Sequence, residues 1–558
     1  MEYYNLGTHS RPVTTSSNEA QTWFDRGLVW CYGFNHEEAA KCFEHAIEAD
    51  PTCAMAYWGL AYSLGPNYNK PWALFGPDER TSATRRTHDA VEKATALAGG
   101  EPSSRVSPVE RELIHAIRYR YPQRETPAAS EDEAKTAVWN TEYADAMRAV
   151  AARFPDDLDI ATLYADSMMN LTPWALWDIR TGKPARGART LETKRVLDHA
   201  LSLPGGRHHP GALHLYIHLM EMSATPEAAL PAANLLRGLV PDSGHLNHMP
   251  SHIDILLGDY AAAAAANTAA VAADEKFLAR EGALMFYSLY RSHDYHFLLY
   301  GAMFSGQSAL ALETVDRLEA SISEELLRIA SPPMADWLEA FLAMRVHALV
   351  RFGRWDDVLA LQAPRDPDLY CVGAALACYA KGVAHAATGN VDRAREQQAL
   401  FEKARANVKE SRTLFNNRCT DILKVAAALL TGEVEYRAQN YDAAFAHLRD
   451  AIALYDNLPF DEPWGWMQPA RHAYGALLLE QGRVEEAMAV YKADLGIDDS
   501  LPRAHQHPHN VWSLHGYHEC LVILAKTDEA EAISAKLKAA LELADVPVKA
   551  SCFCRTQV

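Results

Sequence analysis

The chain has 558 residues and no apolar run as long as 18, so nothing in it reads as a membrane-spanning helix. Positive charge is also in deficit: 53 Lys and Arg stand against 72 Asp and Glu, a net −19. That balance argues against sequence-independent binding to nucleic acid or to an anionic membrane, since both need basic patches. The signatures of nucleotide chemistry are missing: there is no phosphate loop, dinucleotide fingerprint or kinase set, and no Gly-x-Ser-x-Gly elbow. Residues 1–20 lack a basic region followed by an apolar stretch, so no secretory leader is read there. Nine cysteines are scattered, an odd count, with none between Cys53 and Cys371. They read as mostly reduced core thiols of a cytoplasmic protein. Cys552 and Cys554 offer a soft-metal or redox pair, but the preferred reading of that segment is a mobile tail.

Runs of β-branched residues are scarce as well, whereas Ala, Leu, Glu and Arg recur at helical spacing between Gly, Pro and Asp-Pro breaks. Apolar residues make up 49% of the chain, enough for a large core. A repeat is visible in Trp23, Gly27, Trp30, Ala39, Phe43, Ala46 and Pro51, and the next unit opens at Tyr57, Gly59 and Ala61. Small residues at these places let antiparallel helices approach closely, aromatics fill the gap between pairs, and proline stops the second helix. The same small-residue spacing returns at Gly382 with Ala394, Gly432 with Ala444 and Gly475 with Ala487. Another pair opens near Leu257-Gly258-Asp259-Tyr260, and a final one at Trp512 and Gly516 runs to about Asp545. We expect an all-α solenoid of stacked helix pairs, curled around a central cavity. Residues 63–210 look least regular, with long connections rich in Pro and aromatics. The expected division is 1–70 (first repeats), 71–420 (a histidine-rich central region) and 421–558 (last repeats and tail).

These residues resemble the large tetratricopeptide-repeat proteins of bacteria and fungi. The marks are His36-Glu37-Glu38-Ala39-Ala40 with Phe43, Met55-Ala56-Tyr57-Trp58-Gly59 and Gly65-Pro66-Asn67-Tyr68-Asn69. His209-Pro210-Gly211-Ala212 with His214 and His218 follow, then the particular run His248-Met249-Pro250-Ser251-His252 after Gly244-His245. His293 with His296-Phe297, Asp461-Glu462-Pro463-Trp464 and Trp512-Ser513-Leu514 complete the set. Asp294 stands where the family pattern has Asn. The resemblance implies a repeat fold. It implies no reaction, because fold does not fix function.

The most informative feature is nine histidines between His208 and His296. His214, His218 and Glu221 stand at i, i+4 and i+7; His245, His248 and His252 at i, i+3 and i+7; His293 and His296 at i, i+3. At about 100° per residue each set shares one helix face. Imidazole is the commonest ligand for zinc, copper and iron. Burying so many rings without a shared partner leaves donors and acceptors unmet. The expected metal ligands are His214, His218, His245, His248, His252 and His293, with His209 and His296 behind them. Glu221 and Asp294 are the candidate carboxylates for catalysis or coordination. No metalloprotease signature accompanies His214, since no Glu follows it. The number of histidines exceeds what one zinc needs, which favours iron or copper with zinc as the alternative. Tyr68, Trp72, Trp174, Trp177, Tyr216, Tyr287, Tyr290 and Glu462 are the candidate pocket lining.

His505, His507 and His509 alternate beside Pro508 and read as a solvated loop, or as a cap on the main site. Arg471 reads as a helix-capping or salt-bridging residue. The leading expectation is a metal-dependent oxidoreductase, using O2 on a small, aromatic-compatible organic molecule. The alternatives are a zinc-type hydrolase or lyase at the same residues, and a non-catalytic scaffold whose repeats bind a protein partner or a second copy.

Overall fold

The computed structural model describes residues 3–99, 106–128, 132–498 and 500–556. The protein is an all-α helical-repeat protein. Its only strands among the described residues are two tight antiparallel pairs, Trp177–Asp178 with Lys183–Pro184 and Thr413–Leu414 with Asn417–Arg418. Among the described residues no helix is long and apolar enough to cross a membrane.

The first repeat shows why the sequence folds this way. Ser17 caps the helix Asn18–Tyr32 through the Ala20 amide, and Asn35 caps His36–Ala49 through the Glu38 amide. Phe43 projects from the second helix into the seam with its neighbours and is fully buried. A Cβ on Gly27 would stand 2.8 Å from its ring, and one on Gly59 only 2.3 Å. The absent side chains are what let Asn18–Tyr32 and Ala54–Leu64 close on Phe43. Burying such a ring contributes about 1.5–3 kcal/mol. The later repeats follow the same plan: Cys371–Ala387 pairs with Val391–Arg405, Cys419–Arg437 with Tyr441–Asp456, Ala470–Glu480 with Val484–Asp494, and Val511–Ile523 with Thr527–Leu543.

The chain forms two compact units: unit 1 is Met1–Ile253 with Ala269–Gly282, and unit 2 is Asp254–Thr268 with Ala283–Val558. The expected three-part division places its boundaries at 70 and 420 instead. Helix Ala54–Leu64 packs on Pro77–Ala98 across the first boundary, and Cys371–Ala387 on Cys419–Arg437 across the second, so neither is a seam. The stretch 63–210 is also more regular than expected. It contains the helices Pro77–Ala98, Pro108–Ile117, Asp132–Arg153, Leu158–Met169 and Thr190–Ser202.

In unit 2 part of the loop after Asp494 turns inward, while His509 stays exposed as expected. His505 and His507 are buried, contrary to the expected solvated loop. Asp494 is the reason. It faces His507 Nδ1 at 2.9 Å and His472 Nε2 at 3.0 Å, and accepts from Ser513 Oγ at 2.6 Å and Asn510 Nδ2 at 3.1 Å. Burial opposes its charge, but the histidines and the hydrogen bonds win and hold its carboxyl well below the usual range. Arg471 makes a two-pronged ion pair with Asp456, at 2.7 and 2.6 Å.

Candidate metal centre

In unit 1 the helix Pro210–Glu221 is positioned by close approach to the end of helix Asn18–Tyr32. A Cβ on Gly211 would fall 2.6 Å from the Tyr32 ring. That approach sets His214 Nδ1 2.5 Å from the Tyr32 carbonyl, one of the acceptors that a helix end leaves without a partner. One turn on, His218 Nδ1 lies 3.0 Å from Glu221 Oε1. The second histidine segment is broken at Pro250 into Gly244–His248 and a helix starting at Pro250. His252 Nδ1 reaches the other Glu221 oxygen at 2.7 Å. The facing nitrogens meet: His214 Nε2 and His245 Nε2 are 3.1 Å apart, His248 Nε2 and His252 Nε2 2.6 Å.

This pattern selects tautomers. A carbonyl or a carboxylate beside Nδ1 requires a proton there, so in neutral His214, His218 and His252 the Nε2 lone pair faces inward. Burial drives the His214 pKa down to about 3. It drives His218 well below its ordinary value, with His214 and His248 adding to the effect. Ligand atoms of His214, His218 and His245 lie within 4.8 Å of one another, as do those of His218, Glu221 and His252. All of these residues are buried. His218 Nε2 has no hydrogen-bond partner among the described residues.

Aromatic rings close the cluster. Phe34 lies 4.5 Å from His214, 5.3 Å from His245 and 5.7 Å from His218, centre to centre. Tyr68 and Trp174 stack on each other and sit 5.1 and 5.8 Å from His218. Tyr68 and Trp174 were legible as pocket candidates, whereas Phe34 was missed. Its backbone is left-handed (φ 56°), a conformation that periodicity does not signal in a bulky residue.

Other candidates have local duties in unit 1. His209 does not stand behind the cluster. Its Nδ1 accepts from the Ala212 amide and caps helix Pro210–Glu221, so its Nε2–H donates to Asp159 at 3.1 Å. Trp177 donates from Nε1 to the Leu219 carbonyl, Tyr216 donates to Asp198, and Trp72 packs on Phe75. Unit 2 holds the rest. His293, Asp294 and His296 lie on helix Ser288–Phe304 and are buried. Neither ring nitrogen of His296 has a hydrogen-bond partner among the described residues, and burial lowers its pKa to about 3. Tyr287 stacks on Tyr290, and Glu462 is buried beside Asp461.

A family model described as "Tetratricopeptide repeat" matches residues 34–53. No curated protein matches the chain. Among solved structures, the chain is similar to a monomeric IFIT1 mutant with Gppp-AAAA, at 12% identity over 87% of this chain and 90% of that one, TM-score 0.35. It is also similar to the APC/C hetero-tetramer Cut9-Hcn1, at 15% identity over 95% and 78%, TM-score 0.31. Yeast Tom70 gives 10% identity over 93% and 90%, TM-score 0.28. Likeness at these values carries no argument about what this chain binds.

Proposed function

We propose that unit 1 of this helical-repeat protein binds a first-row transition metal, held by His214, His218 and His245, with His248, His252 and Glu221 beside them. One observation carries the reading: His218 Nε2 is fully buried, its lone pair faces inward, and no donor among the described residues answers it. A buried polar atom left unmet costs about 1–3 kcal/mol, which a cation among neutral imidazoles would relieve. The donor set of imidazoles, two of them oriented by a carboxylate, suits iron or copper, and zinc as well. When bound, such an ion supplies Lewis-acid or one-electron chemistry, so oxidoreductase activity on a small organic molecule is the activity proposed first. The zinc counterpart is hydrolase or lyase activity.

The chain's own groups have definite parts in this reading. Both Glu221 oxygens hold Nδ1 protons, so it orients two imidazoles rather than acting as a base. The Tyr32 carbonyl does the same for His214. Phe34, Tyr68 and Trp174 keep water from the nitrogens. The test is metal loading of the purified chain with Fe(II), Cu(II) or Zn(II) singly, then elemental analysis. Stoichiometric retention that is lost in His218→Ala and kept in His199→Ala, an exposed histidine, supports the reading. Equal loading of all three proteins contradicts it.

A second reading, a protein-binding repeat scaffold, is favoured by the tetratricopeptide match at 34–53 and by the paired helices that follow Cys371. Peptide binding by metal-free chain, undiminished in His218→Ala, supports it, and its absence even after the segment at 549–556 is released contradicts it.

A further inference from the structure

The segment after helix Thr527–Leu543 is not a mobile tail. Ser551 and Cys554 are each 1% exposed, and Cys552 is disulfide-bonded to Cys554. The segment runs along unit 2 and turns at Cys552–Arg555, where the Arg555 amide donates to the Cys552 carbonyl at 3.1 Å, and every few residues a built contact receives it. Arg351 donates to the Ser551 carbonyl. Ser551 Oγ donates to the His472 carbonyl at 2.7 Å and lies 2.6 Å from the Tyr491 hydroxyl. Phe553 packs edge-on to Trp512, 6.0 Å between centres, and fills the space over Gly353, where a Cβ would stand 2.7 Å from its own. Arg437 donates to the Cys554 carbonyl. Arg555 forms a two-pronged pair with Glu519, both distances 2.8 Å. The Thr556 amide donates to Glu480 Oε1 at 2.9 Å.

The receiving face is assembled by the repeats themselves. Tyr491 is held where a Cβ on Gly475 or Gly516 would come within 2.6 or 2.3 Å of its ring. Arg351 lies 3.9 Å over the Trp512 ring and donates to His472 Nδ1 at 2.9 Å, which fixes its second prong on the segment. Backbone carbonyls and an amide are read by Arg351, Arg437 and Glu480, and side chains by Tyr491, Trp512 and Glu519. Reading both main chain and side chains in this way is how a groove recognises a peptide.

We propose that this face, built by helices Met344–Arg351, Cys419–Arg437, Ala470–Glu480, Val484–Asp494 and Val511–Ile523, is a peptide-binding groove. Residues 549–556 occupy it in cis, in competition with a partner peptide of the same chemistry: a serine, an aromatic two positions on and an arginine two positions after that. The inference deepens the scaffold reading and is independent of the metal reading. A tethered ligand competes at an effective concentration near millimolar, so the resident segment masks the groove from free peptide.

The probe is a labelled synthetic peptide of residues 549–558 with serine for both cysteines. It is titrated into the full chain, into full-length Phe553→Ala/Arg555→Ala, and into that variant with Glu519→Arg added. The released variant is expected to bind at least about tenfold more tightly than the native chain, and Glu519→Arg to abolish binding. In the native chain, hydrogen exchange at residues 551–555 is expected to be slow and to quicken in excess peptide. Equal affinity for the native and released chains, or no binding by the released chain with 551–555 still protected under excess peptide, overturns the proposal. Binding of unrelated peptides at this face without the probe also overturns it while leaving the scaffold reading standing.

Discussion

Glu221 Oε2 stands 2.7 Å from Nδ1 of His252, across 31 positions of sequence, while its other oxygen holds His218. One buried carboxylate therefore sets the tautomers of two rings at once. Glu221→Gln keeps the shape but presents one amide N–H₂ to an Nδ1–H, so one ring must flip. Metal affinity is expected to fall about 10–100-fold. Chelator competition on the loaded protein measures it, and an unchanged affinity counts against the tautomer argument.

Gly59 separates packing from propensity. Helix propensity alone makes Gly59→Ala stabilising by about 1 kcal/mol. A Cβ there would stand 2.3 Å from Phe43, so the seam must open, and a loss of about 1–3 kcal/mol is expected instead. Chemical denaturation reads the sign.

Asp494 gathers His472, His507, Asn510 and Ser513. Asp494→Ala leaves several buried donors without an acceptor and is expected to destabilise unit 2 by about 3–5 kcal/mol. Metal loading of unit 1 is expected to be unaffected. Differential scanning calorimetry with elemental analysis checks both, and a loss of metal in this variant contradicts the assignment of the centre to unit 1.

Acid acts differently on different buried groups. Burial lowers the pKa of His36 in unit 1 and of His347 in unit 2 to about 3 from 6.5. The unfolded chain takes up these protons below 6.5 while the folded chain refuses them, so stability falls as pH drops from 6.5 toward 3, by roughly 2 kcal/mol per histidine at pH 5. Burial raises Glu339 and Glu433 of unit 2 to about 7 from 4.5. Their neutral forms favour the fold below 4.5, and that contribution is lost as pH rises toward 7. Denaturation of wild type against His36→Gln and Glu433→Gln across this range separates the two. The first substitution is expected to flatten the acid limb, and the second the limb between 4.5 and 7. Unchanged profiles contradict the assigned signs.

Helix pairs were legible because Gly and Ala recur at a fixed interval, as with Gly432 and Ala444, and that interval is the physical condition for close approach. His214, His218, Glu221, His248 and His252 were legible for a similar reason, since helical spacing puts them on shared faces. What stayed hidden depends on contacts distant in sequence. Asp159 takes His209 from 50 positions away, and the Tyr32 carbonyl takes His214 from 182. Asp494 draws His507 out of solvent, and the groove that seats Ser551 is drawn from helices 60–200 positions earlier. A backbone carbonyl such as that of Tyr32 has no residue letter at all.

The most direct test is elemental analysis of the native chain and of His218→Ala after loading with each metal and extensive dialysis. A single ion retained per native chain, and essentially none by His218→Ala at unchanged helical content, is the expected result. A native chain that emerges metal-free, with His218→Ala folded and no less stable than wild type, would mean the inward-facing imidazoles are only core.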